Sequence, residues 1–275
     1  MVFFKTKKIN DHITCIMSLT GEMMYLAEGK EKAALIDTGT GIGNIRQFVN
    51  DLTSLPYDVL LTHGHMDHAA GGFLFDSVFI DPMDAELIKT GSIEERKSYA
   101  DLVLKEAPPI SAYVPVKEIE TQPISDGELF DLGGITIEAI KVPGHTQGSV
   151  AFLFREDRII LTGDACNTFT FLFLPESLSI EEYRQSLQRL LDRAKDYDRV
   201  LLSHGTPEVQ KEIIQGVYDC CTDIMTGNVD DVPFEFMGKE ALIAKKTGED
   251  RSRLDGKTGN IVYNKDRVFK TENRG

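Results

Sequence analysis

Between His63 and His68 the chain reads HGHMDH, three histidines and one aspartate in six positions, directly behind the apolar stretch Asp58–Leu61. A buried strand has to end there. The tight loop behind it has to aim imidazoles and a carboxylate at one spot. The chain holds six histidines, so half of them crowd into this loop. Imidazole with carboxylate is a donor set for Zn²⁺, Fe or Mn. Each ligand imidazole must be neutral to bind, and without a metal such a cluster repels itself on protonation.

The surrounding pattern is one of short strands and single helices. Residues 13–18, 23–27 and 33–37 are short apolar runs separated by turn residues, as strands are. Residues 42–53 place Ile42, Ile45, Phe48, Val49 and Leu52 at helical spacing. A strand follows at 77–81, and two helices over 82–106 are broken near Thr90-Gly91 and ended by Pro108-Pro109. Further strands are expected at 135–142, 149–154 and 158–162. Ser179 and Glu182 form a capping box for a helix whose apolar face carries Tyr183, Leu187 and Leu190. Arg199–Ser203 reads as a strand leading into His204. Thr206-Pro207 has cap and first-turn chemistry for a helix over about 207–225. Short strands at 232–236, 240–245 and 260–264 close the chain. The order predicts a layered α/β fold built from two similar halves.

Composition narrows the class. A chain of 275 residues with 41% hydrophobic and 27% charged residues has the make-up of a globular protein. No apolar run approaches the ~20 residues that cross a bilayer, so no membrane partner is expected. The formal net charge of −14 repels a nucleic-acid polyanion. The stretch from Lys239 to Gly275, with ten basic and six acidic residues, runs the other way. It reads as a solvated basic tail, or as a site for an acidic group. Cys15, Cys166, Cys220 and Cys221 do not form a disulfide framework, and the N-terminus MVFFKTKKIND is not an ordinary signal peptide. A cytoplasmic protein is expected.

His-x-His-x-Asp-His behind a strand is similar to the signature of the metallo-β-lactamase-fold hydrolases, and the resemblance continues along the chain. His145 in PGHT, Asp164 in TGD, His204 in SHG and Asp37 in LIDTG stand in register from about residue 12 to about 206. The resemblance implies a four-layer αβ/βα sandwich. It implies that His63, His65 and His145 hold one divalent metal, that Asp67, His68 and His204 hold a second, and that Asp164 bridges them. Zinc is the expected pair, with Fe or Mn as other choices. Such a pair lowers the pKa of a shared water and supplies a hydroxide nucleophile for an ester, lactone, thioester or related bond in a small molecule. Asp67 then helps to protonate the leaving group. An iron-dependent redox or sensing protein on the same site is the alternative.

Departures from particular branches sharpen this. Flavodiiron reductases carry Glu where this chain has His65. Quorum-quenching lactonases place a Tyr shortly after the bridging Asp, where this chain has Ala165-Cys166-Asn167. The thioester hydrolase glyoxalase II adds a helical C-terminal domain with basic residues, and Lys245, Lys246, Arg251 and Arg253 are the matching candidates here. Cys166 and Asn167, next to Asp164, are candidates to line a substrate pocket. Phe169, Phe171 and Phe173, on an expected loop, need burial in the core, in a pocket wall or in a homodimer contact. Residues 1–275 are expected to form one domain, with a family-variable segment from about 227.

Overall fold

Apolar runs of four to six residues that are buried on both faces have to sit in the middle of paired sheets. Ala33–Ile36 and Val150–Phe154 are such runs, buried at every position. In a computed structural model, which describes residues 1–270, they lie in the two facing sheets of a four-layer α/β sandwich. The first sheet runs in chain order through β1 (Phe4–Lys8), β2 (Ile13–Ser18), β3 (Met23–Glu28), β4 (Ala33–Ile36), β5 (Tyr57–Leu60), β6 (Ser77–Ile80) and β7 (Glu120–Pro123). Its first four strands are antiparallel and its last four parallel.

The second sheet takes β8 (Leu129–Asp131), β9 (Thr136–Lys141), β10 (Val150–Phe154) and β11 (Ile159–Leu161). β12 (Phe169–Leu172) leaves it, and β13 (Arg199–Leu201) and β14 (Glu208–Gln210) complete it in the order β14-β13-β11-β10-β9-β8. β15 (Val232–Phe236), β16 (Lys239–Ile243) and β17 (Asn260–Tyr263) join β12 in a small third sheet, ordered β12-β17-β16-β15.

Tyr25, Ile36 and Leu60 of the first sheet meet Ile137, Phe152 and Leu161 of the second in the central core. Helix α1 (Ile45–Leu52) covers the outer face of the first sheet with Ile45 and Val49. The short α2 (Met66–Ala69) and α3 (Ile93–Val103) follow on that half. On the other half α4 (Ile180–Asp192) and α5 (Glu212–Met225) pack Tyr183, Leu187, Val217 and Cys221 against the second sheet. The Ser179–Glu182 capping box is present in both directions.

Three local expectations are corrected, two of them by long-range pairing. Residues 169–172 are a strand, because β17, far along the chain, offers a parallel partner from Phe169↔Asn260 to Leu172↔Tyr263. Thr206-Pro207 does not start a helix. Glu208–Gln210 pairs with β13, Arg199 Nε donates to Glu208 at 2.7 Å, and the helix begins at Glu212. Residues 82–89 form two short 3₁₀ turns, so only α3, capped by Ser92 and Glu95, is a full helix in that stretch. Strands β1 and β7 were not anticipated. They are mostly exposed edges without an apolar run.

Asp84 ties the halves together at the end where the strands of both sheets deliver their loops. It is buried, and its carboxylate accepts from Gly64 N at 3.0 Å, Thr146 Oγ1 at 2.6 Å and Gly148 N at 2.8 Å. A Cβ on Gly64 would lie 2.7 Å from the Asp84 carbonyl oxygen, so the residue between the first two histidines has to be glycine. Asp84→Ala strands two buried amides and a hydroxyl. It should cost roughly 2–4 kcal/mol in urea unfolding, against about 1 kcal/mol for Thr146→Val. Equal costs for the two variants would show that the carboxylate does not join the loops.

Candidate metal centre

β5 ends at Leu60, and the next residues are placed by Asp37, just past the end of β4. Its carboxylate accepts from Thr62 N at 2.8 Å, from Thr62 Oγ1 at 2.8 Å and from His68 Nδ1 at 3.0 Å. Asp37 has a left-handed backbone, φ 61°, which a non-glycine residue keeps only when its surroundings fix it. Here three hydrogen bonds at the buried carboxylate do so. They fold the histidine loop back so that His65 caps α2 and His68 lies inside it.

His145, Asp164 and His204 come to the same place from the loops after β9, β11 and β13. The donor atoms fall into overlapping groups, each within 4.8 Å. These are His63 with His65 and His145, His63 with His68 and Asp164, and Asp67 with His68 and His204. Asp164 Oδ2 lies 3.8 Å from His145 Nε2, 3.6 Å from His68 Nε2 and 3.3 Å from His204 Nε2. It stands between the two sets. His65 Nδ1 is 2.9 Å from His145 Nε2, and His68 Nε2 is 3.1 Å from His204 Nε2.

The outward ring nitrogens are held by acceptors that fix the tautomers. His63 Nδ1 donates to Thr62 Oγ1 at 3.0 Å, while that hydroxyl donates to Asp37. His145 Nδ1 donates to the Phe171 carbonyl at 2.7 Å, and His65 Nε2 to Glu176 Oε1 at 2.5 Å. His63, His68 and His145 are thereby left with Nε2 facing inward, and His65 with Nδ1. His63 Nε2 and Asp164 Oδ1 are buried and find no hydrogen-bond partner among the described residues. Two orphaned acceptors and two close nitrogen pairs, all aimed at one space, fit divalent metal and fit little else.

The electrostatics divide the cluster. Burial, reinforced by the other imidazoles, lowers His63 far below the usual histidine value and His145 to about 4. Burial also opposes a proton on His68 and His204. There the carboxylates of Asp67 and Asp164 overcome it, raising His68 strongly and His204 to about 10. Asp67 and Asp164, which burial alone would raise, are held below the carboxylate range by those same imidazoles.

The metallo-beta-lactamase superfamily model matches residues 19–205. The chain belongs to that superfamily. Among relatives, an acyl-coenzyme A thioesterase from Homo sapiens is 25% identical over 62% of this chain and 67% of its own length. A hydroxyacylglutathione hydrolase from Haemophilus influenzae is 29% identical over 57% of this chain and 71% of its own. An atrochrysone carboxyl ACP thioesterase from Aspergillus novofumigatus is 30% identical over 54% of this chain, but the match spans only 39% of that protein. A metallo-beta-lactamase from Pontibacter korlensis superposes with a TM-score of 0.58 at 19% identity, over 77% of this chain and 95% of that one. It shares the superfamily fold.

The other sequence candidates are dispersed. Cys166 is fully buried in the core with Tyr183 and Cys221, so it has no surface for a substrate and leaves the pocket candidates. Asn167 spends its side-chain oxygen on Phe169 N at 2.7 Å. Phe173 is also buried, whereas Phe169 and Phe171 are half-buried beside Phe234 and Phe236. Lys245 and Arg253 are not a solvated tail. Both are buried, 3.3 Å and 3.8 Å from Asp223. Glu176 escaped the sequence analysis because 111 residues separate it from His65. Among the described residues no helix is long and apolar enough to cross a membrane.

The cluster predicts proton release. The carboxylates of Asp67 and Asp164 favour a proton on the His68–His204 pair, and that proton must be lost when the two become ligands. Zinc uptake at pH 7 should therefore release protons, visible in calorimetry as heats that vary with the buffer's ionisation enthalpy. Affinity should fall as the pH is lowered. Buffer-independent heats would contradict this protonation pattern.

Proposed function

We propose that the chain is a dinuclear metal-dependent hydrolase that cleaves a thioester or similar ester with an apolar acyl group. The observation that carries this is Asp164 Oδ2, within 3.8 Å of His145 on one side and 3.3 Å of His204 on the other. Two divalent ions, zinc first, would be held by His63, His65 and His145 and by Asp67, His68 and His204 with Asp164 between, and would supply Lewis acidity and an activated water. Asp67 and His204 have the most exposed side chains of the cluster, at 20% and 32%, so substrate enters from their side. The ionised Asp67 accepts the proton of the attacking water and passes it to the leaving sulfur or oxygen. No side chain attacks: burial pushes the Cys166 thiol up to about 12 and walls it off.

The thioesterases and the hydroxyacylglutathione hydrolase among the relatives favour a thioester. The acyl part is read from the third sheet. The Phe171 carbonyl touches His145, and its ring lies 5.5 Å from that of Phe236. Phe236 lines a groove of about 540 Å³ with Ser98 and Leu102 of α3, Glu235 and Met237. Leu102 is 58% exposed and Met237 44%, and with Phe236 they offer apolar surface to an acyl chain. Because β15–β17 pair with β12, we take the segment from about 227 as part of the same domain.

The test is a zinc-reconstituted sample against acyl thioesters from acetyl to dodecanoyl. Hydrolysis should favour long chains, and a single turnover in ¹⁸O-water should label the acid. Phe236→Ala should raise KM about tenfold for the dodecanoyl substrate, the loss of roughly 1.5 kcal/mol of apolar burial, and leave the acetyl substrate unchanged. Asp164→Ala should weaken both metal positions together. Inactivity toward every ester and thioester, with oxygen consumption by an iron-loaded sample, would overturn the reading.

A further inference from the structure

The superfamily match ends at residue 205, yet residues 260–267 reach back to the metal cluster. β17 pairs with β12 through Phe171↔Val262, and the Phe171 carbonyl orients His145. Asn264 Nδ2 donates to the Phe173 carbonyl at 3.1 Å. Arg267 Nη1 then gathers the carbonyls of Leu174 at 2.5 Å, Pro175 at 3.2 Å and Ser177 at 3.2 Å. These three residues bracket Glu176, whose Oε1 accepts from His65 Nε2 at 2.5 Å. Ser177 Oγ adds a bond to the His145 carbonyl at 2.8 Å.

Two histidines of one metal triad therefore take their outer acceptors from a single short segment, 171–176. That segment has no helix of its own and is held from behind by the last described part of the chain. Ser177 N closes the turn on the Leu174 carbonyl at 3.0 Å, and the guanidinium adds further donors to its carbonyls from a rigid plane. We propose that Arg267 is a positioning residue for the metal centre, acting through the turn 174–177 and Glu176 on His65. Glu176 sets the ring so that Nδ1 faces the metal, and Arg267 sets Glu176. The inference rests on the reading of His65 as a metal ligand.

Zinc affinity, measured by chelator competition on the full chain, tests both levels. His65→Ala examines the underlying reading, which fails if zinc binding is unchanged. Glu176→Ala should weaken one zinc position by about tenfold to hundredfold, the usual effect of removing a carboxylate behind a ligand histidine. Glu176→Gln, whose amide oxygen still accepts from Nε2–H, should recover part of that loss. Arg267→Met should weaken the same position about tenfold in the wild-type background and less than twofold in the Glu176→Ala background. That non-additivity marks action through Glu176. Equal losses in both backgrounds, or no loss in either, would overturn the proposal. If Arg267→Met does not fold, Arg267→Lys, which retains one donor for the turn, is put through the same comparison. Cobalt(II) spectra of the variants should show a changed ligand field at one position only.

Discussion

Imidazole lone pairs that converge in a buried space repel one another unless a cation sits between them, and this constraint organises the molecule. Four loops and the start of α2 deliver five histidines and two aspartates to one edge of the sandwich. Within the cluster it is chiefly the contacts of His68 and His204 with Asp67 and Asp164 that favour that arrangement. The order comes from behind, where Asp37, Thr62, the Phe171 carbonyl and Glu176 each receive an outward N–H. Asp84 then locks the loops of the two halves to each other. The leftover polarity of His63 Nε2 and Asp164 Oδ1 is what a metal would satisfy.

The parts that were legible in the sequence are those whose cause is local. HGHMDH opens in a loop because a buried strand stops before it, although Met66–Ala69 then turns into α2. The helix at Ser179 was readable because its cap lies three residues from its partner. The layered architecture followed from strands alternating with single helices. What could not be read depends on partners far away in sequence. β12 becomes a strand only because β17 lies beside it. Thr206-Pro207 has good capping chemistry, but β13 captures the following residues first. Cys166, two residues past Asp164, turns inward because α4 brings Tyr183 over it. Glu176 and Arg267 carry no spacing signal at all.

Electrostatics at the site oppose those of the chain as a whole. A net charge of −14 repels anionic substrates at long range, yet the carboxylates of Asp67 and Asp164 draw positive charge onto the His68–His204 pair. Several of the basic residues near the C-terminus are spent on internal contacts and present no free cationic patch to a ligand. Lys245 and Arg253 face Asp223, Arg253 also pairs with Asp255 at 2.5 Å, and Arg267 faces backbone carbonyls. An anionic leaving group would find its counter-charge at the metal edge, and the part of the substrate that lies away from it is better apolar than charged.

The wall of the groove opposite the aromatic sheet is α3, and α3 has little apolar surface with which to hold itself. Its buried residues are Arg96, Tyr99 and Ala100. Arg96, fully buried, donates to the Thr40 and Gly41 carbonyls at 3.4 Å and to the Val114 carbonyl at 2.6 Å. Tyr99 OH donates at 2.7 Å to Glu22, whose other oxygen collects the hydroxyls of Ser18, Thr20 and Thr40. This helix is placed by buried polar contacts, which lose much more than an apolar contact when one partner is removed. Glu22 and the carbonyls that face Arg96 hold α3, as Asp37, Asp84 and Glu176 hold the histidine loops, so both the groove wall and the site are fixed by buried polar groups reached from elsewhere in the chain.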